Sequence, residues 1–177
     1  MSENLSLEGR LKKIKLMVFD VDGVLTDGRL YLNDRGEEMK AFNTLDGHGL
    51  KMLQSSGVEV AIITGRRSET VALRAKNLGV NHLYQGVENK KEAFLDLIQT
   101  LNLSTDVVGF MGDDWIDLPA MKLSGLAVTV PAATEEVQQR AHLVTLRAGG
   151  EGAVRELCER IMKAQGTFDR HLAQYLD

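Results

Sequence analysis

Leu16-Met17-Val18-Phe19-Asp20-Val21-Asp22-Gly23 is a short apolar run that stops at two carboxylates and a glycine. Four apolar residues in a row leave no polar pleat face, as expected of a strand buried on both sides. The pattern returns along the chain. Val58–Ile63 ends at Thr64-Gly65, and Val107–Met111 ends at Gly112-Asp113-Asp114. Leu126–Val130 and Leu143–Thr145 read as further strands. Between them, Ala93, Phe94, Leu97, Ile98 and Leu101 keep helical spacing, as do Val154, Leu157, Cys158, Ile161 and Met162. Ser68–Leu78 reads as a helix closed by Gly79 at its C′ position. Doubly buried strands alternating with helices predict an α/β protein with a parallel sheet.

One segment breaks this rhythm. Leu30-Tyr31-Leu32 and Met39-Lys40-Ala41-Phe42 flank Asn33-Asp34-Arg35-Gly36. Two short strands around a turn-rich loop read as a β-hairpin, inserted over residues 28–43. It follows the first strand directly and carries an apolar face with no evident partner.

The chain has 177 residues, enough for one domain with a substantial core. Hydrophobic residues at 44% and charged residues at 26% are ordinary globular values and argue against disorder. A net charge of −4 gives no nucleic-acid footprint. No apolar run approaches the ~18 residues of a membrane span. The polar segment Met1–Lys15 lacks the apolar core of a signal peptide. A single cysteine, Cys158, cannot form an internal disulfide, which suits a reducing compartment. The expectation is a cytoplasmic protein of one domain, residues 1–177, with a C-terminal tail over 167–177.

In open α/β sheets ligands bind at the carboxyl ends of the strands. Those ends carry Asp20 and Asp22, Thr64-Gly65-Arg66, and Gly112-Asp113-Asp114 with Asp117; Lys90 begins a helix. Converging carboxylates repel one another unless a cation sits among them, and oxygen ligands suit Mg²⁺. A metal beside Lys90 and Thr64 suits a phosphate. Asp20 is placed to attack phosphorus, and Asp22 to protonate the leaving oxygen and then activate water. Each feature has a plainer reading. Asp-x-Asp-Gly also opens a calcium loop, but the twelfth position would be Tyr31 rather than Glu. Gly112-Asp113-Asp114 could be an acidic helix start, Thr64-Gly65 any strand-to-helix turn, and Lys90 a solvated lysine. The four in this order at strand ends are far more specific. His48 reads as a turn residue, Trp115 as packing and Cys158 as an inert core thiol.

Phe19-Asp20-Val21-Asp22-Gly23-Val24-Leu25-Thr26, Thr64, Lys90 and Gly112-Asp113-Asp114-Trp115-Ile116-Asp117 resemble the four motifs of the haloacid dehalogenase-like phosphatase superfamily. From about Lys15 to Gly166 the chain is similar to its phosphatases of 3-deoxy-D-manno-octulosonate 8-phosphate. The more specific parts are Leu25–Gly28, Phe42–Gly47, Ala61–Arg66, His82–Gly86 and Ala148–Glu156. The resemblance implies a Rossmann-like, cap-less parallel sheet flanked by helices. It also implies a Mg²⁺-dependent phosphoric monoester hydrolase acting in lipopolysaccharide precursor synthesis. Asp20 would form an aspartyl-phosphate, with Asp22 as the acid/base; Asp20, the Asp22 carbonyl and Asp113 would bind Mg²⁺, with Asp114 and Asp117 behind them. The sugar would meet Asn43, Thr44, Leu45, Asp46, Gly47, Lys51, Gly65, Arg66 and Arg74. Many relatives carry Arg where this chain has Leu45 and Lys51; lysine keeps the charge at the second position but lacks the bidentate fork.

The intervals between Asp20, Thr64, Lys90 and Asp113 are 44, 26 and 23 residues, too short for a separate cap domain. An uncapped site calls for closure by a neighbouring subunit, and the hairpin is the natural element for that contact. The family implies a homotetramer, with the tail after Gly166 over a neighbour's site. A related nine-carbon sugar acid phosphate is the alternative substrate. A non-enzymatic phosphoacceptor domain fits less well, because Asp22 would shorten any signalling state. A dehalogenase would need neither Asp22 nor Asp113. No nucleic-acid or membrane partner is expected.

Overall fold

The computed structural model describes residues 5–176. The outermost parts of the polar N-terminal segment and of the tail, residues 1–4 and 177, lie outside the described residues. The elements run α1 (Leu7–Lys13), β1 (Leu16–Phe19), β2 (Tyr31–Leu32), β3 (Glu38–Met39), α2 (Thr44–Ser55), β4 (Glu59–Thr64), α3 (Glu69–Leu78), β5 (His82–Gln85), α4 (Lys90–Thr100), β6 (Val108–Met111), α5 (Leu118–Leu123), β7 (Leu126–Thr129), α6 (Glu135–Gln138), β8 (Leu143–Val144), α7 (Ala153–Ala164) and α8 (Phe168–Ala173). Six strands form one all-parallel sheet in the order β5-β4-β1-β6-β7-β8. The antiparallel pair β2-β3 stands apart as the expected hairpin.

The sheet explains where the chemistry goes. From β1 the chain builds outward through β4 and β5, then crosses to the other side of β1 and continues through β6, β7 and β8. The strand order reverses at β1, so its carboxyl end, with those of β4 and β6, borders the crevice that open sheets leave for ligands. β1, β6 and β7 are buried at every residue, so helices cover both faces. α1, α2 and α7 pack together on one side, and α4 packs with α5 on the other.

Several elements were not legible as elements in the sequence, α2 among them: His48, read as a turn residue, lies within that helix. β5 is an edge strand of half-buried residues, His82-Leu83-Tyr84-Gln85, with too mixed a composition to stand out as an apolar run. α1 is short and buries Leu11, with a polar remainder. The tail is in part helical: α8 packs on α7 and buries His171. Tyr175 reaches back to α2, its hydroxyl 3.0 Å from His48 Nε2.

Candidate active site

Asp20 is the first residue after β1. Its backbone N–H donates to Met111 O at 2.9 Å, which fixes the end of β1 against β6. The chain then coils into one tight turn, with the N–H groups of Val24, Leu25 and Thr26 all directed to Val21 O. The Thr26 hydroxyl donates to that same carbonyl and accepts from Gly28 N–H at 3.2 Å. Gly23 has φ +89°, and a Cβ there would collide with the Asp113 carboxyl. A side chain at this position is therefore excluded twice, by conformation and by the approach of Asp113.

Lys90 is the first residue of α4, and its side chain is fully buried. Its Nζ lies 2.8 Å from Asp20 Oδ1 and 2.6 Å from Asp117 Oδ1. Burial works against the charge, but the two carboxylates outweigh it and hold the ammonium above its usual range. Asp117 is buried as well. Its Oδ2 accepts the N–H groups of Asp113 and Asp114 at 3.0 and 3.1 Å. Asp117 thus shapes the loop after β6 and fixes Lys90.

Asp20 and Asp113 are different. Burial, then the charge of Asp117, pushes Asp20 up to about 7 despite Lys90. Burial, then the charges of Asp20, Asp117 and Asp114, pushes Asp113 to about 7. Carboxylate oxygens of Asp20, Asp113 and Asp117 lie within 4.8 Å of one another, and Asp113 has no ion-pair partner among the described residues. One lysine does not neutralise three carboxylates. An all-oxygen donor set with uncompensated negative charge fits a hard divalent cation of the Mg²⁺ class, held by Asp20 and Asp113.

Asp20 and Asp113 line one open cleft of about 250 Å³, with Asp22, Gly28, Thr64, Gly65, Arg66, Asp114 and Ile116. Thr64 closes β4, and its hydroxyl has no hydrogen-bond partner among the described residues. Charge shielding, a hydroxyl donor and a nucleophile in one cleft are the requirements of phosphoryl transfer.

Residues 30–125 match the family described as haloacid dehalogenase-like hydrolase. The chain is 47% identical over 165 residues to the 3-deoxy-D-manno-octulosonate 8-phosphate phosphatase KdsC of Escherichia coli K12, covering 93% of this chain and 88% of that one. The chain belongs to the haloacid dehalogenase-like hydrolases. Its fold superposes with a TM-score of 0.93 on the Moraxella catarrhalis 3-deoxy-D-manno-octulosonate 8-phosphate phosphatase, solved with magnesium, phosphate and KDO. That pair shares 42% identity over 95% of this chain and 97% of the other. The cobalt-bound Haemophilus influenzae phosphatase gives 0.90 at 35% identity, over 95% and 99% of the two chains.

For this haloacid dehalogenase-like hydrolase, all four expected phosphoryl-transfer residues, Asp20, Asp22, Thr64 and Lys90, converge. The sugar-side set divides. Gly65 and Arg66 line the cleft; Asn43, Thr44, Leu45, Asp46, Gly47, Lys51 and Arg74 do not. Asn43 caps α2, accepting Leu45 N–H at 2.8 Å, and donates from Nδ2 to Gly150 O. Asp46 accepts the N–H groups of Gly152 and Arg155 at 3.3 and 2.8 Å and so anchors the start of α7. Burial raises its pKa and those backbone donors oppose the rise. Gly47 leaves space that Arg74 fills, and Arg74 donates to Asn43 O at 3.2 Å. Thr44, Leu45 and Lys51 lie on α2 with Leu45 and Lys51 exposed. Within one chain, Asn43, Asp46 and Arg74 therefore serve the α2–α3–α7 packing.

Two residues were missed. Lys40, just past β3, buries its side chain and donates to Asp22 Oδ1 at 2.5 Å and to Glu38 Oε1 at 2.8 Å. Burial disfavours its charge, yet those bonds hold the ammonium above its ordinary range. Glu38 in turn pairs with Arg66. The signal lay in the hairpin itself, where charged residues interrupt an apolar strand close in sequence to Asp20 and Asp22.

Proposed function

We propose that the protein is a Mg²⁺-dependent phosphatase that hydrolyses 3-deoxy-D-manno-octulosonate 8-phosphate to the free sugar acid and inorganic phosphate. The observation that carries this reading is the convergence of Asp20, Asp22, Thr64 and Asp113 in one cleft, with Lys90 paired to Asp20 from behind it, in a chain 47% identical to a phosphatase of that substrate. Thr64 and the N–H groups following Asp20 hold the phosphoryl oxygens. A free Asp20 carboxylate oxygen attacks phosphorus, the bond to the sugar's 8-oxygen breaks, and Asp22 delivers a proton to that oxygen. Asp22 then takes a proton from water, the water oxygen attacks phosphorus, and phosphate leaves with Asp20 restored. Bound Mg²⁺ would offset the negative charge of Asp20 and the phosphoryl group during both displacements. Lys90 stays charged throughout and keeps Asp20 oriented.

Arg66 sits beyond the phosphate-holding Thr64-Gly65 and is read as the fork for the sugar's carboxylate. The working form is read as a cytoplasmic homotetramer. Support for association is the hairpin, where Leu30, Leu32 and Met39 are 52, 59 and 70% exposed, more apolar surface than a free two-stranded ribbon can bury. Phosphate release from 3-deoxy-D-manno-octulosonate 8-phosphate and other sugar phosphates, with Mg²⁺ and with chelator, tests the reading. Asp20→Asn should abolish turnover in a folded protein; residual activity within about tenfold of wild type would overturn the nucleophile assignment.

A further inference from the structure

The guanidinium read as the carboxylate fork already holds a carboxylate. Arg66 Nη2 donates to Glu38 Oε2, Glu38 Oε1 accepts from Lys40 Nζ at 2.8 Å, and the same Nζ lies 2.5 Å from Asp22 Oδ1. Four alternating charges thus run from the cleft wall, across the hairpin, to the acid/base. The middle of the run is enclosed: Lys40's side chain is 3% exposed and Glu38's 19%, while Arg66 at 48% faces solvent. Both anions compete for one ammonium, and Glu38 divides itself between two cations.

We propose that Glu38 is a specificity-determining residue, an internal carboxylate that occupies Arg66 until a substrate carboxylate displaces it, and that Lys40 relays the exchange to Asp22. This rests on the reading of Arg66 and Asp22 given above. A sugar acid phosphate offers Arg66 the same planar partner as Glu38, so the exchange replaces one ion pair by another. A phosphate ester without a carboxylate offers no replacement and leaves Glu38 in place. After the exchange Glu38 has Lys40 as its remaining cation. Lys40 is drawn toward Glu38, its hold on Asp22 loosens, and Asp22 can turn to the leaving oxygen. Carboxylate recognition thereby acts on turnover as well as on binding.

Glu38→Gln keeps the shape and removes the charge. It opens Arg66 but leaves Lys40 with Asp22 as its one anionic partner. The expected result is a split: KM for 3-deoxy-D-manno-octulosonate 8-phosphate falls by about two- to fivefold, the worth of a solvent-facing ion pair, and kcat on that substrate falls too. The change in KM for p-nitrophenyl phosphate, which has no carboxylate, is smaller. In an Arg66→Ala background the KM effect of Glu38→Gln disappears. A folded Glu38→Gln protein, by circular dichroism and Tm, whose KM for the sugar substrate is unchanged or raised overturns the inference; so does an equal fall for both substrates. Arg66→Ala alone tests the underlying reading separately: an equal loss on both substrates would remove Arg66 from carboxylate recognition whatever Glu38→Gln does.

Discussion

Lys90→Met should destabilise the metal-free protein by about 3–5 kcal/mol at pH 8, because it leaves Asp20 and Asp117 as neighbouring buried carboxylates with no cation between them. In a chain of this length that is a fall in Tm of about 6–20 °C. The pH dependence discriminates this cause from simple loss of packing. Asp20 is raised from 3.8 to about 7 with Lys90 present. An acid raised on folding binds more protons in the native state, so stability falls as pH climbs from near 4 to 7 and levels off above. Removing the ammonium raises Asp20 further and extends that fall past pH 7, by about 1.4 kcal/mol for each additional pKa unit. The variant should therefore lie closer to wild type at pH 5.5 than at pH 8. Urea titrations in chelator at both pH values measure it, and a loss that is equal at the two would refute the charge argument. Methionine fills the volume of the lysine stem, so a cavity does not confound the comparison.

Asp113→Asn should raise the Tm of the metal-free protein above pH 7, since it deletes a carboxylate that burial and Asp20 oppose, while abolishing the Tm gain from Mg²⁺. Differential scanning fluorimetry with chelator and with Mg²⁺ reads both effects. Mg²⁺ binding should release protons near pH 6.5, where Asp20 and Asp113 are partly protonated in the free protein, and should weaken as pH falls. Calorimetry in two buffers of different ionisation enthalpy measures the release. Leu30→Glu with Leu32→Glu should split the proposed assembly by sedimentation and narrow the preference for the sugar acid phosphate over small esters, with turnover of small esters persisting. Ca²⁺ should inhibit, because its longer and more numerous bonds misplace Asp20.

The sheet was legible because its central strands are buried on both faces, which writes them into the sequence as unbroken apolar runs. The edge strand β5 has no such requirement and left only His82-Leu83-Tyr84-Gln85, half buried and mixed. The residues proposed for phosphoryl transfer were legible for a related reason. A parallel sheet delivers the residue after each strand to one rim, so Asp20, Thr64 and the Gly112-Asp113-Asp114 loop could be assigned together without knowing any side-chain distance. Lys40 and Glu38 follow no such rule. They reach the cleft from a hairpin outside the main sheet, and only its folded path brings Lys40 against Asp22, eighteen positions earlier.

The sugar side is where resemblance and single-chain geometry part. Asp46 points both oxygens at the start of α7, and Gly49 brings α2 so close to that helix that a Cβ would sit 3.0 Å from Arg155 Cα. Arg74 donates to Asn43 O, and the gap they border with Gly47 is about 10 Å³, too small for any part of a sugar. The cleft of about 250 Å³ holds Asp20, Asp22, Thr64 and Arg66, and no further cation among the described residues lines it. Exposed Leu30, Leu32 and Met39 stand on the element next to it. An exposed apolar surface beside an open cleft is what the proposed association would account for: a neighbouring copy that buried the hairpin would also cover the cleft.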